Sequence, residues 1–187
     1  MLFLTMVDRG SIQHMIDSRL IKICVRFGLV AGVLTSVLMI ILFYIGKHPF
    51  LIAPFLDFRI LIFGVFIFFS LKEFRDYYQE GLLYFWQALP GSLVVVLVAS
   101  LAGSAGLYFF GLVEPGFLQR YIQEMMAYLK TFPPENIEQI GKETYERNLN
   151  GLPATNLADL VKTYFFQGTI IGFFISIILS VILRRTT

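Results

Sequence analysis

From Ser92 to Val113 the chain runs without one charged side chain, and the same holds from Phe27 to Ile45 and from Tyr164 to Leu183. No other feature of the sequence constrains its fold as strongly. A stretch such as 27–45, about 19 residues, reaches roughly 28 Å at 1.5 Å per residue and matches a hydrocarbon core of about 30 Å. In that medium each backbone N–H and C=O must bond within its own segment, so the spanning unit is an α-helix. A weaker stretch, 55–71, has a fully apolar part, Ile60 to Leu71, that is too short to cross alone. Including Phe55 to Arg59 brings it to about 17 residues, the lower limit for a crossing. Asp57 and Arg59 then sit near the membrane surface, because a charge at the bilayer centre costs about 2.5–3.5 kcal/mol on insertion scales. Pro54 suits the first turn of that helix. The expected spans are 27–45, 55–71, 92–113 and 164–183.

Composition agrees with this reading. Hydrophobic residues make up 57% of the chain and charged residues 15%. Soluble domains carry about 25% charge, so this chain has too little polar surface to cover its apolar residues in water. Twenty Phe and nine Tyr suit a lipid-facing exterior with aromatic belts at the interfaces. The formal net charge is +2 with Lys and Arg scattered, which excludes the clustered basic footprint of a nucleic-acid binder. A single cysteine, Cys24, excludes an intrachain disulfide and a cysteine-based zinc cluster; it reads as inert packing. The two histidines, His14 and His48, are expected on opposite sides of the membrane. There is no metal-ligand spacing, phosphate loop or G-x-S-x-G elbow. The expectation is a chain that is not an enzyme, with no catalytic residue, cofactor or metal. The apolar run Met1 to Met6 is short and lacks a small-residue cleavage site before Asp8 and Arg9, so it is not read as a signal peptide; Met6 and Met15 are alternative starts.

Gly46, Lys47, His48 and Pro49 end the first span. Residues 81–89, with Trp86 as anchor, read as an interfacial turn or helix start, and Pro90 and Gly91 bend or restart the helix there. Residues 114–162 form the one sizeable polar region. Within it Phe117, Leu118, Tyr121, Ile122, Met125, Met126 and Leu129 recur at helical spacing and predict an amphipathic helix. This helix lies on the outer membrane surface or packs on the next helix as a small cap. Thr131 to Pro134 break it. Glu135 to Asn148 reads as a second, polar helix, with Glu135, Glu138, Glu143 and Glu146 as a solvated face. Asn150 to Pro153 end it, and Asn156 caps the helix that becomes the fourth span. The expected division is an N-terminal segment, 1–22, and a membrane domain, 23–187, that includes the insertion 114–162.

Basic residues flank these spans unevenly. Arg9, Arg19, Lys22 and Arg26 precede the first, Lys72 and Arg75 follow the second, and Arg184 and Arg185 follow the fourth. With four spans all of them fall on one side, and the positive-inside rule places that side in the cytoplasm. Both termini are then cytoplasmic and the mildly acidic 114–162 segment is extracytoplasmic. Lys47 and Arg59 in the first outer loop weaken the bias.

Small residues recur every four positions: Gly28, Gly32 and Ser36 in the first span, and Gly168, Gly172, Ser176 and Ser180 in the fourth. The third pairs Ala99 with Gly103 and Ala102 with Gly106. This spacing lines small residues along one helix face and lets backbones approach closely. Internal bundle packing is the favoured reading; the sharper alternative is a face for a partner. The second span has only Gly64 and several Phe, so it is expected to be the most lipid-exposed. Asp57 and Arg59 raise the possibility of a transport path, since ionisable residues inside membranes often mark one. Interfacial charges that snorkel to water are favoured, because two residues apart on a helix they share no face. Thr35, Ser36, Ser70, Ser100, Ser104, Ser176 and Ser180 would be a thin lining for a transporter. Lys72, Glu73, Arg75 and Asp76 read as a solvated helix end, with Lys72 and Asp76 spaced to pair; lipid headgroups or a cytoplasmic protein are alternatives.

Several segments together resemble a bacterial family, found mainly in Bacteroidota, known as domain of unknown function four-one-nine-nine. They are Arg26-Phe27-Gly28-Leu29-Val30-Ala31-Gly32, Leu71-Lys72-Glu73-Phe74-Arg75-Asp76, Gly81 to Ala88, Glu114-Pro115-Gly116-Phe117 and Arg184-Arg185. Their order and spacing carry the likeness, from about residue 22 to the end. The resemblance implies four spans in a bacterial inner membrane and transfers no catalytic residue. Through the gene neighbourhoods of the family it also implies a membrane partner in polyprenyl-phosphate sugar transfer. The fold class expected is an all-α integral membrane protein, a bundle of four transmembrane helices with a small helical extracytoplasmic segment between spans three and four. The function expected is that of a non-enzymatic inner-membrane accessory or scaffold subunit. It would contact membrane lipid and either a membrane protein partner or further copies of itself, and no nucleic acid. A small transporter or flippase-like protein is the alternative.

Overall fold

A computed structural model describes residues 17–52 and 56–186. Arg9, His14, both alternative start methionines, Pro54 and the expected start of the second span at Phe55 lie outside the described residues. Among those described there are seven α-helices: α1 (Ser18–Tyr44), α2 (Phe58–Tyr78), α3 (Phe85–Val113), α4 (Gly116–Lys130), α5 (Pro134–Ile140), α6 (Lys142–Gly151) and α7 (Leu157–Leu183). Short 3-10 turns cover Pro49–Leu51 and Leu152–Ala154. The fold is all-α, and three helices, α1, α3 and α7, are long and apolar enough to cross a membrane.

Three of the four long helices, α1, α2 and α7, start where the sequence supplies a side-chain partner for the free N–H groups of the first turn. Asp17 accepts from Arg19 N at the start of α1, and Asp57 from Arg59 N at the start of α2. At α7, Asn156 and Asp159 form a capping box. α1 extends several residues before its uncharged stretch and carries Arg19, Lys22 and Arg26 in its first turns, and α3 starts before the expected Ser92. α3 begins at Phe85 and runs on through Pro90, so Pro90 and Gly91 do not restart it. Proline removes the hydrogen bond that would reach the carbonyl four residues back. Here that carbonyl belongs to Trp86, which is more than half exposed.

Four helices pack as a bundle with alternating directions. Gly28 faces Val95 and Val98, and Gly32 faces Ala99 and Ala102, so α1 and α3 run parallel. α2 runs the other way: Glu73 pairs with Arg26 near one end, and Phe58 joins Met39 and Phe43 near the other. α7 opposes α3, with Gly111 facing Leu157, Gly172 facing Val96 and Ser180 touching Ser92. α2 was expected to be the most lipid-exposed, yet it turns Ile62, Phe63, Ile67, Leu71 and Phe74 into the core. With only Gly64 and Ser70 as small residues, it fills space with large side chains instead of close backbone approach. The outer faces of α1, α3 and α7 expose Val30, Val33, Leu101, Phe109, Phe166 and Phe174, each by half or more.

At one end of the bundle, called the α4 end below, an aromatic cluster joins His48, Phe43, Phe110, Phe117 and Tyr121. Phe117 is fully buried and seats the start of α4 there. Arg120 of α4 donates to Phe43 O (3.4 Å) and Gly46 O (2.8 Å), so it ties α4 to carbonyls at the end of α1. The rest of the amphipathic face, Ile122, Met125, Met126 and Leu129, is half-buried, and Tyr145 of α6 donates to Leu129 O at 3.2 Å. The polar helix expected over 135–148 is two helices. They break at Gly141, whose φ of +85° lies in the left-handed region that favours glycine. At the opposite end Leu83 and Arg185 exchange both backbone hydrogen bonds at 2.8 Å and tie the chain's end to the α2–α3 turn.

Candidate functional site

The chemistry at the α4 end centres on Asp57 and Arg59. Asp57 is extended and lies just outside α2 as its N-cap, while Arg59 is in the first turn. The carboxylate therefore folds back and meets the guanidinium: both Asp57 oxygens accept from Arg59 Nε at 2.9 Å. The expectation that the two share no face assumed that both are helical and fails for that reason. Snorkelling fails too, because Arg59 is 6% exposed. Its Nη1 donates to Tyr164 O at 3.1 Å and its Nη2 to Gln167 Oε1 at 3.3 Å. The guanidinium also stands over the Tyr164 ring, 4.5 Å from its centroid. A buried ion pair is held only when its remaining donors are satisfied, and α7 satisfies them here. Pro49, Phe50, Ile52, Phe58, Tyr164 and Gln167 enclose with the pair a cavity of about 10 Å³.

A seam of small and hydroxylated residues runs inward from this pair between α3 and α7. One turn apart along α3 lie Ser92, Val96, Ser100 and Ser104, and along α7 Gly168, Gly172, Ser176 and Ser180. Ser100 Oγ and Arg59 Nη1 both border the bare face of Gly168; a methyl group there would stand 3.0 Å and 3.6 Å from them. Ser92 and Ser180 share a hydrogen bond at 3.3 Å. Ser100, Ser104, Tyr164 and Ser176 bury hydroxyls that find no hydrogen-bond partner within the protein. Thr35, beside Tyr164 across Gly103, gives its hydroxyl to Gly32 O at 2.8 Å.

The predicted small-residue positions all face inward. Gly28 and Gly32 meet α3, Gly106 takes the Ser36 side chain, and Gly103 lies against Thr35 and Tyr164. Gly168 and Gly172 meet Ser100 and Val96, and Ser176 is fully buried. This chain's own helices cover both stripes, so a partner would have to use another surface.

The charged end of α2 is paired differently from the i,i+4 expectation. Asp76 takes Arg75 at 2.8 Å, and Glu73 takes Arg26 of α1 at 2.6 Å. Lys72 is left without an ion pair among the described residues. The Arg75 hydrogen bond, aided by Lys72 and Arg185, holds the Asp76 carboxyl below its ordinary value. Lys72, Glu73, Asp76 and Tyr77 line an open groove of about 430 Å³ with Phe27 and Phe69. His48 is 2% exposed and meets Phe117 O at 3.3 Å. Burial pushes its pKa from 6.5 down to about 4, against opposing pulls from that carbonyl and Glu124. It is neutral at pH 7.

Sequence reasoning missed Tyr164 and Gln167 as partners of Arg59. Their spacing from Gly168 put them on or beside the small-residue face of α7 at the mouth of the apolar stretch, and that signal was available. An all-α bundle with three helices of membrane-crossing length and an inward-facing ion pair defines an integral membrane protein class without fixing its activity. The chain belongs to the family described as Protein of unknown function (DUF4199), whose model matches residues 26–185. Neither a curated protein nor a solved structure matches it.

Proposed function

We propose that the chain is a non-enzymatic accessory or scaffold subunit of a bacterial inner membrane, crossing it four times with both termini in the cytoplasm. One observation carries the four crossings. α1 and α3 run parallel, so a chain that crosses twice in the same sense must return between them, and α2 is the helix available. Its charges then fall at its two ends, Asp57 and Arg59 outside and Lys72 to Asp76 inside, where their cost is least. The scaffold role is supported by the interior, which is filled by close packing and whose small cavity beside Arg59 would hold about one water. With both small-residue stripes consumed inside, the surface for a partner is the cytoplasmic end. Unpaired Lys72 and the groove beside it lie there, with Arg184 and Arg185 at the same end. A membrane protein of polyprenyl-phosphate sugar transfer is the partner class proposed for that surface.

The test is purification of the tagged chain from its native membrane in mild detergent. A stoichiometric membrane protein that is lost on Lys72→Glu with Arg184→Glu supports the subunit. A homo-oligomer without partner, unaffected by those changes, removes it. The buried Asp57–Arg59 pair favours a second reading, a small transporter or flippase-like protein. Flux in proteoliposomes that Asp57→Asn abolishes would support that one.

A further inference from the structure

Hydroxyls in this bundle divide into two groups. Thr35, Ser36, Ser70, Ser92 and Thr169 each donate to a carbonyl of their own helix three or four residues back, at 2.8–2.9 Å. That is the ordinary way a serine or threonine is satisfied in an apolar helix. Ser100, Ser104, Ser176 and Tyr164 do not follow it, although each is at least nine-tenths buried. Ser100, Ser104 and Tyr164 line the half of the α3–α7 seam that opens toward Arg59, with Ser100 near the middle of α3, while Ser176 lies beyond Gly172. A buried hydroxyl without a partner is costly, and the three gathered in the outer half of the seam call for a polar occupant.

The chemistry of the lining selects that occupant. Asp57 and Arg59 neutralise each other, so the seam prefers neither an anion nor a cation. Hydroxyls both donate and accept, as water does. The cavity beside Arg59, about 10 Å³, is at the lower limit for one water. Gln167 at its rim is exposed. Past Ser100 the seam closes, because Val96 packs on the bare face of Gly172, with Cγ2 2.6 Å from where a methyl group would stand.

We infer that the outer half of the α3–α7 seam is a water-accessible polar site. It reaches from the Asp57–Arg59 pair to Ser100 near the middle of the bundle and is shut below by Val96 on Gly172. It takes water, which passes the half-buried Asp57 carboxylate and reaches the buried Ser100 hydroxyl. The inference rests on the four-crossing reading and gives the transport alternative a site.

Silver ion, which is small and reacts with thiols, tests it by substituted-cysteine accessibility in sealed right-side-out vesicles. The background is Cys24→Ser, with Ser100→Cys, Ser104→Cys or Ser176→Cys added singly; sulfur for oxygen changes little volume. Modification from outside should be faster at positions 100 and 104 than at 176 by more than an order of magnitude. Equal rates at all three, or silence at 100 and 104, would overturn the site. The unsubstituted chain supplies a second readout. In water-edited solid-state NMR in bilayers, polarisation should reach Arg59 and Tyr164 side chains sooner than Ser176, and equally slow build-up counts against the site. Lys47→Cys and Arg184→Cys, probed with an impermeant maleimide, separate the two failures. Labelling from the same side breaks the four-crossing reading; labelling from opposite sides with a silent seam breaks the water site alone.

Discussion

At the scale of residues, the most consequential departure from sequence reasoning is a single backbone conformation. Asp57 is extended where a helix was assumed, and this brings its carboxylate onto a guanidinium two residues on. Removing one partner of a buried pair leaves the other charge uncompensated and costs about 3–5 kcal/mol, whereas replacing both can be close to neutral. Asp57→Ala should therefore lower the melting temperature of the detergent-solubilised protein markedly. Asp57→Ala with Arg59→Met should recover part of the loss, and a double variant worse than the sum would refute the pairing. His48 gives a pH dependence of determined sign. Its folded pKa, about 4, lies below the ordinary 6.5, so between those values the unfolded chain binds a proton that the folded chain does not. Stability is then fully present above about pH 6.5 and declines as pH falls toward 4, by on the order of 3 kcal/mol at most. The melting temperature of the unsubstituted protein should fall more steeply from pH 7 to 4.5 than that of His48→Gln. Parallel curves would mean that His48 is not held neutral by its aromatic cage.

Among the elements, close packing of α1, α3 and α7 depends on positions where a side chain cannot be added. A methyl group at Gly32 would meet Ala102 Cβ and stand 2.9 Å from Ala99 O, and one at Gly172 would meet Val96. Overpacking costs typically 1–3 kcal/mol, and more where the obstacle is backbone, as at Gly32. Gly32→Leu and Gly172→Leu should each reduce the yield of folded, monodisperse protein. Gly64→Leu, at a position with nothing within 4 Å, should leave it unchanged; size-exclusion profiles in detergent distinguish the cases, and equal tolerance at all three would contradict the packing. Much at this scale was legible from residues alone. Uncharged stretches placed α1, α3 and α7, four-residue spacing marked the faces that pack, and Asn156 stood out as a cap. What was not legible depended on contacts between helices. Nothing local told that Arg26 would take Glu73 and leave Asp76 to Arg75, or that Tyr164 and Gln167 would close over Arg59. The break at Gly141 was missed because its flanks, Glu135 to Ile140 and Lys142 to Asn148, both read as one polar helix.

For the whole molecule, direction is the strongest constraint, and α2 is the element on which it turns. By composition α2 is the weakest of the four long helices, with Asp57 and Arg59 at one end and Lys72, Glu73, Arg75 and Asp76 at the other. Judged alone it would pass for a helix lying at the membrane surface. Judged in the bundle it runs antiparallel to α1, from Phe58 beside Met39 and Phe43 to Glu73 beside Arg26. A surface helix packed in that way would have to carry α1 with it, and α1 is among the most apolar segments of the chain. Reporter fusions at four points decide the matter. Fusions at Lys47 and Thr131 should report the outer side, and fusions at Gln79 and Thr186 the cytoplasm, as the basic flanks at Lys72, Arg75, Arg184 and Arg185 require. Adding Arg residues beside Lys47 should weaken the asymmetry, since Lys47 and Arg59 already oppose it. If Lys47 and Gln79 report the same side, α2 does not return. α1 and α3 cannot then both cross in the sense that their parallel packing demands, and one of them must leave the bundle in the membrane.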